Sequence, residues 1–409
     1  MTASDRIVPA AFPARPRIPG APVLSRASFG GMGAARPRSV LDAGQARLVT
    51  SGRIAIALAL REMQVKAGDT VLVPAYHSPS MIPPVLACGA EPRFYRIRPD
   101  TSVDLDDIAA RLDPSVRVLM VTHYFGFPQP LAALRAFCDA HGLLLLEDCA
   151  HGFFGEYQDK PFGAWGDYAI ASSMKFFPIY EGGCLVSARH RLDGVQLRSP
   201  GAGFEAKIAL TTLENSFAYG RLPLLAALFK LPLAAKDRLW RALKARRASG
   251  ASGTAAPALA PSSSDSSYDF DPRWLDKRSS LFSRLMLKLA SHRRIGALRR
   301  RHYQTLHAAC AGLPGIRPLH PALPDGVYPW VFPLLADEPA HLVRLCAALG
   351  QAGVPYVRFG ETLWPGVDAG ACPVSADLSQ RLVALPCHQA LTAAELDWLT
   401  SRLREAVTA

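Results

Sequence analysis

The chain has 409 residues, 49% hydrophobic and 20% charged, enough for two or three domains with full cores, which excludes wholesale disorder and a disulfide-stapled mini-protein. Lysine and arginine number 46 against 34 acids, a net charge of +12 that favours anionic partners such as nucleotides, phosphates or acidic lipid without choosing among them. The eight cysteines form no C-x-x-C pair and no Cys/His spacing suited to zinc, so they read as reduced thiols, and no metal is expected. The N-terminus lacks a continuous apolar leader, and no run reaches the roughly 18 apolar residues of a membrane span, so a soluble cytoplasmic protein is expected.

Residues 1–45 are rich in Pro, Arg and Gly and follow neither structural period; they predict an arm packed over the body or onto a partner subunit. Within it, Gly30-Gly31-Met32-Gly33 has no strand ahead of it and reads as a flexible turn. Thr50-Ser51-Gly52-Arg53 stands before the apolar-periodic IAIALAL, so Ser51 suits an N-cap. Gly52 lets backbone approach a ligand, and free amides with the Arg53 guanidinium could hold a phosphate; alone, an ordinary capped helix is the preferred explanation of the segment.

Short β-rich runs at 70–73, 92–95, 116–121 and 143–147 alternate with helical stretches at 54–65, 105–112 and 131–141. That alternation predicts βαβ units, an α/β fold with a mostly parallel sheet covered by helices on both faces, and ligands beyond the carboxyl ends of its strands. The fourth run ends in Glu147 and Asp148, followed by Cys149, Ala150 and His151. A carboxylate directly after four apolar residues is costly to ionise unless donors or a cation meet it, so Asp148 is either structurally paired or matched to a cationic ligand atom. In GDYAIASSMKFFPIYEGGCLVS, Ser172 and Ser173 precede Lys175 at the end of a short strand, and Glu181-Gly182-Gly183 opens another. A lysine flanked by Met174, Phe176 and Phe177 is partly desolvated, which lowers its pKa and favours amine nucleophilicity.

The large domain is expected over 46–245, with an apolar, basic insertion at about 200–245. Eight Lys/Arg and one acid lie between Arg221 and Arg247. A dimer-contact or lid helix with a solvated basic face is preferred there over contact with an anionic membrane surface. Residues 246–267, rich in Ser, Ala, Pro and Gly, read as a mobile linker, and 268–409 as a smaller α/β domain. That domain is expected to hold a long helical stretch from 279 to 310, a strand in YPWVFPLL, a helix at 340–352, a strand in VPYVRF and a last helix capped by Thr392 with Glu395 three residues on. The Arg-rich HRRIGALRRRHY reads as a solvated helix face or a binder of substrate phosphates; without interleaved aromatics, no nucleic-acid partner is expected.

An amine, a carboxylate and a phosphate-ready helix start are together what pyridoxal 5′-phosphate needs. The segments TSGRIAIALAL, GDTVLVPAYHSPS, VLACGAEPRFY, THYFGFP, LLLLEDCAHGFFGEY and SMKFFPIYEGGCLVS, with RRRHYQTL and LVALPCHQALTAAEL further on, resemble the DegT/DnrJ/EryC1/StrS sugar aminotransferases, which are fold-type-I pyridoxal-phosphate enzymes. The resemblance implies that Lys175 joins the cofactor aldehyde and shuttles the substrate proton. It implies that Asp148 keeps the ring nitrogen protonated and that His151 contacts the ring near its 3-hydroxyl. Ser51, Gly52, Arg53 and either Ser172 or Ser173 would hold the phosphate. Arg53 stands where the family motif S-G-T has threonine, and Ser78 where an aromatic commonly stacks, so Tyr76 or His77 is expected to stack instead. The family's G-x-N-x-R segment is not recognisable. Implied beyond this are a nucleotide-linked keto sugar as acceptor, glutamate or glutamine as donor, and a homodimer. The rival expectation is a noncatalytic relative that binds the cofactor or a sugar nucleotide as an assembly or regulatory subunit.

Overall fold

The computed structural model describes residues 16–33, 35–230, 238 and 270–408. In chain order its elements begin with β1 (Gln45–Val49), α1 (Gly52–Glu62), β2 (Thr70–Pro74), α2 (Ile82–Ala87), β3 (Glu91–Tyr95), α3 (Leu105–Ala110), β4 (Val116–Thr122), α4 (Leu131–His141) and β5 (Leu144–Asp148). A short hairpin, β6 (Glu156–Tyr157) and β7 (Lys160–Pro161), precedes β8 (Tyr168–Ala171), β9 (Gly183–Ser187) and α5 (Ala202–Ala218). The C-terminal part holds α6 (Leu281–Leu289), α7 (His292–Ala309), β10 (Ile316–Pro318), β11 (Val331–Ala336), α8 (Pro339–Gln351), α9 (Pro373–Arg381), β12 (Leu382–Pro386) and α10 (Ala393–Thr408).

Seven strands form one sheet in the order β1-β9-β8-β5-β4-β2-β3. The pairs from β8 to β3 are parallel, while β9 runs antiparallel to both its neighbours. Alternation along the strands sorts the core onto two faces. Val118 and Met120 pack with α1 on one face, while Leu119 and Val121 point into the other apolar cluster. That second cluster runs on into Phe332, Leu334 and Leu385 of the antiparallel β10-β11-β12 sheet, so the small sheet is packed onto the large one. Helix ends follow local chemistry: Gly142, at φ 66°, closes α4 with a bond from its N–H to the Cys138 carbonyl.

Three sequence expectations change. The stretch from 279 to 310 is two helices, because Ala290 is extended and Ser291 starts α7 as an N-cap that accepts from the Arg294 N–H. VPYVRF makes only an isolated bridge, Val357 to Ala384, where a strand was expected. The Arg-rich segment is not simply a solvated face: Arg299, His302 and Tyr303 of α7 are buried. Thr392 and Glu395 do form the reciprocal cap, with Thr392 N–H donating to Glu395 (2.9 Å) and Glu395 N–H to Thr392 Oγ1 (3.3 Å).

Within the arm, Ser28 accepts from Ser291 N–H (2.8 Å) and Pro19 from His388 Nε2 (2.9 Å), so residues 19–28 lie across the body. In the insertion, α5 is followed by a helical segment described from 223 to 230, with Leu224 82% and Leu228 71% exposed. The expected linker at 246–267 lies outside the described residues. No described helix is long and apolar enough to cross a membrane.

Candidate active site

The carboxyl ends of β4, β5 and β8 and the amino end of α1 open onto one cavity, where Thr122, Asp148, Ser172, Lys175 and Ser51 are brought together. The parallel register sets Thr122 beside Asp148, and the chain after β8 turns through a short 3-10 segment, Ser173–Lys175, that carries the lysine back over the strand ends.

Asp148 is buried, and burial pushes its carboxyl above the usual range. The Ala150 N–H on Oδ1 (2.9 Å), the Lys175 charge and the Thr122 hydroxyl on Oδ2 (3.3 Å) act in the opposite sense. Lys175 is pushed down to about 8 by desolvation, against the opposing pull of Asp148. Its Nζ lies 4.4 Å from the centroid of the Trp330 ring. The His151 ring stacks on Trp330 at 4.0 Å and meets Phe359 edge-on at 4.7 Å, and its Nδ1 accepts from Phe125 N–H (3.4 Å). Burial, and then the Lys175 charge, hold its pKa well below the normal histidine range, so the ring is neutral.

At the other end of the cavity Ser51 caps α1, its Oγ accepting from Ile54 N–H at 3.3 Å. Gly52 and Arg53 follow on the cavity wall, and their amides precede the first intrahelical bonds. The turn is pinned from behind: Gly182 N–H donates to the Thr50 carbonyl (3.0 Å), and a Cβ on Gly183 would lie 2.4 Å from the Ser51 carbonyl carbon. Glycine is required there by close backbone approach. Glu181 anchors the same loop, accepting from Ser279 Oγ (3.0 Å), Ser280 N–H (3.0 Å) and Ser280 Oγ (2.7 Å) ahead of α6.

Of the two candidate serines, Ser172 lines the cavity, whereas Ser173 lies against Gly182. Tyr76 and His77 both lie away from it. The Tyr76 hydroxyl donates to the Phe359 carbonyl (2.6 Å). His77 stacks on Phe94 at 4.9 Å and accepts from Trp364 N–H (3.2 Å). The aromatic walls are supplied instead by His151 and by Phe359, and Ser78 and Ser80 also line the cavity. Phe359 and Trp330 were missed because they come from the C-terminal part, about 180 and 150 residues after Lys175 in a chain whose spacing cannot register that approach.

His123, Glu147 and Cys149 bring possible ligand atoms within 4.8 Å of one another. The Glu147 oxygens already accept from the amides of Gly163 (3.0 Å), Trp165 (2.8 Å) and Gly166 (2.5 Å) and from His123 Nε2 (3.2 Å), while His123 Nδ1 accepts from Gln129 N–H (3.2 Å). This is a saturated hydrogen-bond cluster that leaves little for an ion.

The family model for the DegT/DnrJ/EryC1/StrS aminotransferases matches residues 38–206. The chain is similar to the GDP-perosamine synthase of Vibrio cholerae, 31% identical over 36% of this chain and 41% of that protein. It is also similar to the dTDP-4-dehydro-2,3,6-trideoxy-D-glucose 4-aminotransferase of Saccharopolyspora spinosa, 29% identical over 43% of this chain and 46% of that one. The matched region thus spans less than half the length of either relative. In fold, the chain is similar to the crystal structure of an aminotransferase from Streptoalloteichus hindustanus, with TM-score 0.62 and 18% identity over 89% of this chain and 86% of that one. Residues 38–206 thus resemble the DegT/DnrJ/EryC1/StrS aminotransferases in sequence, and the solved structure shows the same fold over most of the chain.

Proposed function

We propose that the protein is a pyridoxal 5′-phosphate-dependent aminotransferase that moves an amino group from glutamate or glutamine to a keto sugar, nucleotide-linked, for polysaccharide, glycolipid or secondary-metabolite assembly. The observation that carries this reading is that Lys175 and Asp148 line one cavity together with the capped start of α1. The donor set fits the cofactor: hydroxyls of Ser51 and Ser172, amides of Gly52 and Arg53 and the Arg53 side chain suit a phosphate, and a buried carboxyl suits a protonated ring nitrogen. When bound, pyridoxal phosphate supplies an aldehyde for amines and a ring that takes up the electron pair released when a neighbouring C–H bond breaks.

The chain's own groups divide the remaining work. With its pKa near 8, Lys175 Nζ is a neutral amine in an appreciable share of molecules near neutral pH, ready to join the aldehyde. As a neutral amine in the cavity, Nζ would take the proton from the substrate carbon and return it. Asp148 would hold a proton on the ring nitrogen by its charge, with its carboxylate fixed by the Ala150 N–H and the Thr122 hydroxyl. Neutral His151, whose Nδ1 accepts from Phe125 N–H, would present its Nε2–H as an uncharged donor.

The substrate class rests on the names of the two curated relatives, both nucleotide-linked sugars, and on the net positive charge. We place the protein in the cytoplasm, acting as a homodimer, with no nucleic-acid partner. The working units are an arm over 1–45, a large domain over 46–245, a linker over 246–267 and a small domain over 268–409. Exposed Leu281, Leu285 and Leu289, spaced along one face of α6, support a subunit contact. The basic insertion at 221–247 is read first as a subunit contact or lid, with an anionic membrane surface as the alternative.

The test is the absorbance of purified full-length protein with pyridoxal phosphate, recorded with and without glutamate and repeated for Lys175→Ala. Wild type should turn yellow and lose that colour with glutamate. Lys175→Ala should stay without the protein-bound colour and lose turnover by about 10⁴-fold or more. A wild-type protein that ignores the cofactor, or binds it without ever converting it, overturns the reading and returns the noncatalytic alternative. A panel of nucleotide keto sugars then identifies the acceptor.

A further inference from the structure

Arg299 of α7 has no solvent exposure, and no carboxylate is among its bonded partners. Its donors all reach neutral oxygens. Nη2 donates to the carbonyls of Lys175 (2.8 Å) and Phe176 (3.5 Å), Nη1 to those of Pro329 (3.1 Å) and Trp330 (3.0 Å), and Nε to Gln389 Oε1 (3.2 Å). The guanidinium carbon also lies 4.4 Å from the centroid of the Phe176 ring. Gln389 completes the circuit, its Nε2 donating to the same Phe176 carbonyl at 2.8 Å.

A buried cation without a counter-ion is expensive, and a simple core position would be filled as well by Leu or Met. What an aliphatic side chain could not do is satisfy carbonyls from two separate segments at once. The Lys175 and Phe176 carbonyls lie at the end of the 3-10 turn, where a helix lacks its own donors. The Pro329 and Trp330 carbonyls precede β11, and the Trp330 ring is the one that lies under Lys175 Nζ and against His151. A planar fork of five N–H groups reaches both; a single ammonium has no matching spread.

We propose that Arg299 is a positioning residue that locks the Lys175 turn to the Trp330 segment, so that the amine and the indole beneath it are set in one fixed relation. Its action runs through backbone carbonyls and needs no contact with substrate. This rests on the reading of Lys175 given above, and the experiment separates the two.

Full-length Arg299→Met and Arg299→Lys are titrated with pyridoxal phosphate, and the pH midpoint of the protein-bound colour, kcat, KM and melting temperature are measured, with Lys175→Ala as control. We expect Arg299→Met to shift the midpoint and to lower kcat by about 10²-fold, the cost of a small misplacement of a reacting group, with KM changed far less. Arg299→Lys should fall between Met and wild type, because it keeps the charge without the fork. If Arg299→Met fails to fold, the Lys variant carries the decision. A folded variant with a lowered melting temperature but the wild-type midpoint and kcat overturns the proposal and leaves Arg299 a packing residue. Colour retained in Lys175→Ala would instead sink the reading of the lysine itself, whatever Arg299 does.

Discussion

Glu147 and Asp148 are neighbours on one strand, both buried, and the alternation of β5 sends them to opposite faces of the sheet. On one face Glu147 is met by three backbone amides and His123, a closed set of donors that fixes the loop over 163–166. On the other, Asp148 has one backbone amide and one hydroxyl at 3.3 Å, and the rest of its surroundings is the cavity shared with Lys175. Two identical charges in adjacent positions thus do different work. One is satisfied by the protein and holds structure; the other has fewer donors and faces the cavity that it shares with Lys175.

The largest test of that contrast exchanges each carboxylate for its amide. Asp148→Asn should lower turnover by about 10²–10³-fold, the scale of losing one preorganised electrostatic partner. Since burial raises the Asp148 pKa, its folded-state charge is a cost at pH values above that raised pKa, and protonation as pH falls relieves it. The cofactor-free Asn variant should therefore melt at neutral pH no lower than wild type. Glu147→Gln should do the reverse: it turns one acceptor oxygen into a donor facing amides, costing about 2–4 kcal/mol of stability in denaturant unfolding while folded protein keeps most of its turnover. Equal effects of the two changes on melting would erase the distinction.

A pH profile sharpens the same comparison on the cavity side. The rate at which cofactor-free protein captures pyridoxal phosphate should rise with pH and level off above about 8, as Nζ loses its proton, instead of rising toward the 10.5 of an ordinary lysine. Stopped-flow absorbance measures it, and a midpoint near that ordinary value would mean that Nζ is solvated. The smallest expected effect lies at the phosphate end. Ser172→Ala should weaken cofactor binding by the worth of about one hydrogen bond, ~1 kcal/mol, and Ser173→Ala should leave it unchanged. The reverse ranking in a binding titration would move the phosphate off the Ser172 wall.

Much of this was legible in the chain. The βαβ alternation, the acids at the end of β5, the capped start of α1 and the lysine after β8 are local patterns, each written within a dozen residues. The misreadings share a cause. Tyr76 and His77 sit next to the right strand but point elsewhere, since direction depends on what packs behind them, the Phe359 carbonyl in one case and Phe94 in the other. HRRIGALRRRHY looked solvated because composition cannot reveal that one of its arginines has a ring of carbonyls to enter.

The sequence by itself determined the sheet, its helical cover and the polar residues placed at the strand ends, because hydrophobic period, caps and strand ends are set by near neighbours. Tertiary structure alone decided which aromatics and which arginine meet Lys175. Those choices depend on segments more than a hundred residues apart being packed into contact, and on whether each buried polar atom finds a partner there.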